Sequence, residues 1–255
     1  MIQFLNLKGL VKNYNGIVCI ETNNSDLFIR KLFEFEHAEN QSSININNNK
    51  YSIKDFIIID NLTKYHDLYN FNSKGLLNQW INDLDFENQK IANEKLVLEI
   101  KNLLNNKIGF EFVSIEENNS KYLKYLFNLE NDKFIDNKSL IKWMKNQKYN
   151  NQKINLIIKN FDFVLINELI KFSNNFNIIV LTNDFFKHIN NFDYIESVAL
   201  TNEDLDRIVS IEEKDSFEYF LEEIFQDSIR NIEKFDFFSQ NNKDLIKKSL
   251  KINFF

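Results

Sequence analysis

INLIIKNFDFVLINELIKFSNNFNIIVLTND, residues Ile154 to Asp184, decides the fold class because it holds a complete strand, helix, strand unit. Asn155 to Lys159 and Asn177 to Leu181 are short runs rich in Ile and Val, and they stop at Asn160 and at Thr182-Asn183-Asp184. Apolar runs of that length read as strands buried on both faces. Between them Val164, Leu165, Leu169 and Phe172 recur at helical spacing, which predicts a crossover helix and two parallel strands. Helices layered on such a sheet make an α/β fold.

On the amino-terminal side, Gln3 to Leu7 alternates weakly as a first strand, and Asn13-Tyr14-Asn15-Gly16 turns the chain into a firmer one, Ile17 to Glu21. A helix capped by Asn24 or Ser25 follows, with Leu27, Phe28, Lys31, Leu32 and Phe35 on its faces. Ile44, Ile46, Tyr51 and Ile53 suggest a hairpin with a polar tip at Asn47 to Lys50, and Phe56 to Asp60 is an apolar strand ending in a carboxylate. From about Ser73 to Tyr149 the periodicity is helical, with one stripe through Leu76, Leu77, Trp80, Ile81 and Leu84 and a second through Ile91, Leu96, Ile100, Leu103 and Leu104. After the central unit, Tyr194 to Leu200 reads as a last strand, Asp204 to Phe235 as an amphipathic helical pattern and Leu245 to Phe255 as a short helix. The expected organisation is an α/β head (1–72 and 150–200), an inserted helical leg (73–149) and an acidic helical C-terminal extension (201–255).

A hydrophobic content of 44% suits a folded chain, and no apolar run approaches the about 18 residues that a membrane span needs. A cytoplasmic protein with no membrane contact is expected. Cys19 stands alone, so it is read as a buried, inert thiol. The residues argue against several chemistries. Asp60 at a strand end invites a magnesium-dependent NTPase or nuclease reading. Yet none of the four glycines sits in a phosphate-cradling turn ending in Lys-Ser or Lys-Thr. His37, His66 and His188 lack metal-ligand spacing, and no nucleophile with its base is legible. Glu111, Glu116 and Glu117 could contribute to an oxygen-ligand cation site, although carboxylates are common in a chain with 37 acids and a solvated face is the plainer reading.

Charge is the informative feature. The net charge of −6 is uneven: the segment from Thr201 onward carries −5 and the rest only −1. Between Asn137 and Phe161 six lysines (138, 142, 145, 148, 153 and 159) occur with no acidic residue among them. On a helix, Lys138, Lys142 and Lys145 fall within a sector of about 60°, opposite Leu140, Trp143 and Met144. One face packs and the other is a row of ammonium groups, which fits an anionic partner. The chain has 28 Lys and three Arg, and Lys suits phosphate whereas Arg reads guanine edges, so nucleic-acid binding is expected to ignore sequence and to weaken with salt. Lys50 and Lys54, at the hairpin, and Lys153 complete the candidate DNA-binding set with Lys138, Lys142, Lys145 and Lys148.

The strand GIVCIE (Gly16 to Glu21) with its helix, the hairpin, FIIID (Phe56 to Asp60), the long helical insertion, NLIIKN (Asn155 to Asn160) and NIIVLTN (Asn177 to Asn183) together resemble the accessory spacer-acquisition protein of type II-A CRISPR systems. The resemblance implies a head like that of P-loop ATPases without a phosphate-binding loop, an elongated helical leg, and a ring-shaped homotetramer around the ends of linear double-stranded DNA. It implies no catalysis, and partnership with the CRISPR integrase complex and effector nuclease. The family's lysine-bearing hairpin is similar to Lys50-Tyr51-Ser52-Ile53-Lys54. Its calcium site matches GFEFVSIEE, where Glu111 corresponds and Glu116 and Glu117 lie close by. Two alternatives stand beside this one: a protein-interaction scaffold using the leg and the Phe-rich tail, and a metal-dependent nuclease or degenerate NTPase using Asp60.

Overall fold

The computed structural model describes residues 1–72, 75–83, 94–111, 113–114, 126, 129, 133–147, 152–161, 164–226 and 239–255. The expected parallel pair is present: β6 (Ile154–Lys159) and β7 (Phe176–Thr182) run side by side with Ile157 opposite Ile179. On the far side of β7 lies β2 (Ile17–Glu21), with Val18 opposite Ile179. β5 (Phe56–Ile59) extends the sheet beyond β6, and β8 (Val198–Thr201) extends it beyond β2, both in parallel. The sheet closes on one edge with β9 (Ile208–Ser210), antiparallel to β8, giving the order β5-β6-β7-β2-β8-β9. Every residue of β2 and of β7 is buried, as strands covered on both faces must be.

Alternation sends successive side chains to opposite faces. Val18, Ile20, Ile157, Ile179, Leu181 and Ala199 belong to the core shared with helix α1 (Ser25–Glu39) and a second, three-stranded sheet. That sheet is β1 (Ile2–Phe4), β3 (Ile44–Ile46) and β4 (Asn49–Tyr51), all antiparallel. Phe4 and Phe28 meet edge to face at 5.3 Å where the small sheet joins α1. α1 starts because the Asn24 side chain accepts the Leu27 N–H at 2.9 Å, and it stops at Asn40, a left-handed residue with φ of 49°. The hairpin turn is the two-residue Asn47-Asn48, both at positive φ, a geometry Asn tolerates. Asn49 and Lys50 therefore lie in β4 and not in the tip, with Lys50 opposite Asn45.

The remaining helices are α2 (Tyr65–Leu68), α3 (Leu76–Asp83), α4 (Glu94–Ile108), α5 (Asn137–Asn146), α6 (Ile166–Leu169), α7 (Lys214–Phe225) and α8 (Gln240–Phe254). The chain divides into two compact units, Met1–Thr63 with Asp136–Phe255, and Lys64–Ile135. In the second unit the Asn105 side chain accepts from the Val113 N–H at 2.7 Å and donates to the Val113 carbonyl at 3.1 Å, holding the segment after α4.

Three further local expectations differ from the structure. The β6–β7 crossover is not one regular helix: α6 gives way to a 3-10 turn over Ile170–Phe172. The strand expected from Tyr194 begins only at Val198, after the 3-10 turn Phe192–Ser197. The helical pattern from Asp204 is interrupted by β9, whose Ile208 and Leu205 fit both a helical stripe and a buried strand with its turn. No described helix is long and apolar enough to cross a membrane.

Gly16 sits at the amino end of β2 with φ of 93°, and a Cβ there would lie 2.6 Å from the Ser173 carbonyl oxygen. Gly16→Ala should lower stability by about 1–3 kcal/mol in urea unfolding, because the left-handed strain and the backbone contact both oppose it. An unchanged midpoint would contradict this close approach.

Candidate nucleic-acid interface

A parallel sheet has two chemically different edges, and this chain separates its charges between them. At the carboxyl edge stand Glu21, the last residue of β2, Asp60 and Asp184, just past the ends of β5 and β7, and Asp26, on the first turn of α1. Each meets a lysine. Lys159, the last residue of β6, bonds Asp26 and lies 3.5 Å from Asp60. Burial alone pulls the Lys159 ammonium down, but Asp26 and Asp60 hold it above its ordinary value. Asp60 also accepts from the Leu62 N–H at 3.0 Å and the Thr63 hydroxyl at 3.1 Å, so its oxygens shape the strand-end turn. Lys247, on α8, lies 2.9 Å from Asp184 and 3.4 Å from Glu21, and it donates to the Asn183 carbonyl at 3.1 Å. Burial pushes the Glu21 carboxyl above the usual carboxylate range, against the pull of Lys247, the Phe185 N–H and Lys251.

The amino edge has the opposite character. Phe56 of β5 is in register with Asn155 of β6; Lys153 immediately precedes β6, and Lys54 lies in the 3-10 turn Ile53–Asp55 that leads into β5. Strands in such a pair are about 4.8 Å apart. Lys153 is exposed and donates to the Ser173 carbonyl at 2.6 Å, which holds its stem against the turn before β7. Lys171, in that same turn, is exposed as well. Helix α5 comes to this edge through Trp143, whose ring centroid is 6.2 Å from that of Phe176, the first residue of β7. Leu140, Trp143 and Met144 are buried while Lys138, Lys142 and Lys145 are exposed, as the two-faced pattern of α5 requires.

Those lysines form no salt bridge among the described residues, and Asp136 acts on Lys138 only through its charge. Asp136, adjacent to the row, is spent as the α5 cap. It accepts from the Ser139 N–H at 2.8 Å and the Ser139 hydroxyl at 2.7 Å, and those bonds hold its carboxyl below the usual range. No ion pair involves Lys50, Lys54, Lys138, Lys142, Lys145, Lys153 or Lys171 among the described residues. Lys148 lies outside them. Lys159, counted in the same sequence run, is at the other edge, paired. Lys171 was hidden within the crossover stripe; its signal is its place one turn before a strand that begins at the lysine-bearing edge.

Glu36 fixes the hairpin lysines. Its carboxylate accepts from the Ser43 N–H (3.1 Å) and hydroxyl (2.5 Å), the Ser52 hydroxyl (2.7 Å) and the Ile53 N–H (2.7 Å). These bonds tie α1 to both ends of the β3–β4 hairpin, on which Lys50 and Lys54 are exposed. Glu111 is exposed beyond α4, and Glu116 and Glu117 lie outside the described residues. Among the described residues no group of three or more His, Cys, Asp or Glu is gathered as a metal site. His188 is buried, with Nδ1 2.8 Å from the Val164 carbonyl oxygen, and is packed into the core.

No family model matches the chain, and no curated protein matches its sequence. In fold it is similar to Stu0660 of Streptococcus thermophilus, whose crystal structure superposes with a TM-score of 0.55 at 15% identity, over 87% of this chain and 78% of that one.

Partial burial pushes the Glu36 carboxyl up, but its four hydrogen bonds outweigh this and leave it below its ordinary value of 4.5. A depressed carboxylate stabilises the fold above its unfolded pKa, and that stabilisation is lost as pH falls through the folded value. Glu36→Gln should therefore cost about 1–3 kcal/mol at neutral pH, with the gap to wild type closing in acid unfolding experiments below pH 4.5. A gap that persists unchanged in acid would show that charge is not what Glu36 contributes.

Proposed function

We propose that the chain is a non-catalytic protein that binds linear double-stranded DNA without reading its sequence, as a ring-shaped homotetramer acting in CRISPR spacer acquisition. The observation that carries this reading is the row of exposed ammonium groups on α5 and at the amino edge that make no ion pair among the described residues, in a chain that pairs its strand-end carboxylates Glu21, Asp26, Asp60 and Asp184 with Lys159 and Lys247. Phosphates are the natural partners of point charges with no base-reading arginines among them. The fold shared with Stu0660 supports an α/β head, which we read as P-loop-ATPase-like without the phosphate-binding loop, and we read the helical insertion as an elongated leg. The CRISPR integrase complex and effector nuclease are the partners this reading names, and calcium, at the carboxylates of Glu111, Glu116 and Glu117, is the metal it allows for without requiring it.

A ring suits weak contacts, since topological closure keeps the protein on DNA while each phosphate contact stays loose. Assembly needs apolar surface to cover, and α4 offers it. Leu96, Leu98, Ile100 and Leu103 are each about half exposed, and Phe110 more so. A patch of that kind marks a protein contact. The same patch is what favours the second reading, a scaffold that binds another protein through its helical insertion.

Gel-shift titration of linear and covalently closed circular duplexes of one sequence separates these readings, with particle mass followed by light scattering. Retention of the linear form alone by a tetramer is the expected result. Replacing Lys142 and Lys145 with Glu should weaken it by at least about tenfold, the equivalent of 1.4 kcal/mol. Unchanged retention by that variant would favour the scaffold, and cleavage of either duplex with magnesium, lost in Asp60→Ala, would favour the enzyme.

A further inference from the structure

A cavity of about 590 Å³ opens at the carboxyl end of β8, between the turn that follows the strand and helix α8. Its size is that of a small-molecule pocket. Its place is where open α/β sheets hold ligands, outside the carboxyl ends of the strands, and next to β2, across which the chain steps from β7 to β8.

Both walls are fixed before any ligand arrives. The turn is closed by the Asn202 side chain, which accepts from the Asp206 N–H at 3.1 Å and the Arg207 N–H at 3.0 Å. Leu205 anchors it in the core at φ of 52°, and Lys31 donates to the Asp204 carbonyl. On the other side α8 is held by buried Ile246 and Leu250 and by the Lys247 ion pairs. Preorganised walls lower the ordering cost of binding.

The groups left over have a consistent chemistry. Lys248 is exposed on the cavity wall and makes no ion pair among the described residues. Lys251 uses one of its three donors on the Asn23 side chain, at 3.2 Å, and has two remaining. Lys248 and Lys251 are one turn apart on α8 and both line the cavity, so two ammonium groups are at hand for a phosphate. The lining also includes the exposed Glu203 and Asp204, whose carboxylates are acceptors for hydroxyl groups. Ile252, at 70% exposure, and Phe255, at 38%, add apolar surface to the same lining, suited to a flat ring.

From phosphate donors, hydroxyl acceptors and apolar surface for a ring in one preformed cavity, we infer that this is a binding site for a nucleoside phosphate. The source is either a free mononucleotide or the 5′-phosphorylated terminal nucleotide of a DNA strand. The site lies at the carboxyl edge, apart from the α5 lysines, so it stands or falls independently of the DNA-binding reading.

The test is isothermal titration calorimetry of the full chain with AMP and, separately, with inorganic phosphate. AMP should bind saturably and more tightly than phosphate. Lys248→Ala, a surface change, should weaken both ligands by about tenfold, as loss of one charge-assisted contact does. Ile252→Ser should weaken AMP and leave phosphate unchanged, and Lys145→Ala should change neither. Displacement of AMP by a blunt duplex with 5′-phosphates identifies the DNA terminus as the source, and failure of that duplex to compete identifies a free nucleotide. Absence of saturable AMP binding, or AMP binding unaffected by Lys248→Ala, would overturn the inference.

Discussion

The in-register pairing of β6, β7 and β2 is the constraint on which the rest of the structure depends. β7 is covered on both sides by parallel neighbours and on both faces by apolar layers, so every one of its residues is buried. A parallel sheet cannot be closed by hairpins, and each strand must return to the same edge before the next begins. That geometry sorts the chain. Whatever precedes a strand collects at one edge and whatever follows it at the other, and chemistry placed at strand starts is separated from chemistry placed at strand ends.

The charges obey this sorting. At the strand ends, buried or half-buried carboxylates need compensation, since an isolated buried charge costs several kcal/mol. Lys159 and Lys247 supply it from within the chain. Just before the strands, Lys54, Lys153 and Lys171 are exposed, as is the α5 row, and exposed ammonium groups carry no such cost. Nothing in folding requires a cluster of like charges there; surface ion pairs would have been at worst neutral. Unbalanced charge that stability does not need is best explained by an external anion, which is the physical core of the functional proposal. The C-terminal segment then has two roles in one place, because α8 both closes the acidic edge through Lys247 and shapes the cavity beside it.

Much of this was legible in the residues and some was not, for identifiable reasons. β2, β5, β6 and β7 declare themselves as Ile and Val runs bounded by Asn, Asp or Thr, and α5 shows its two faces because Leu140, Trp143 and Met144 alternate with lysines at the helical period. β9 was missed since Leu205, Ile208 and Val209 satisfy two periods at once, and three residues are too few to decide between them. The partner of Glu21 was out of reach: Lys247 is 226 positions away, and only the fold joins them. The same holds for the lysine edge. Lys153 and Lys159 look equivalent in a run without acids, yet six residues of strand carry them to opposite edges, one exposed and one paired.

The measurement that bears most directly on the account is the salt dependence of DNA binding for wild type and for a variant with Lys54, Lys153 and Lys171 all changed to Ala. Binding by phosphate neutralisation gives a linear fall of log K with log salt, with a slope of about −0.9 for each phosphate contacted. The account predicts a steep slope for wild type and a slope shallower by about two to three units for the variant, since three ammonium groups would release fewer counterions. Equal slopes for the two proteins would contradict it, by showing that the amino edge of the sheet does not face the DNA.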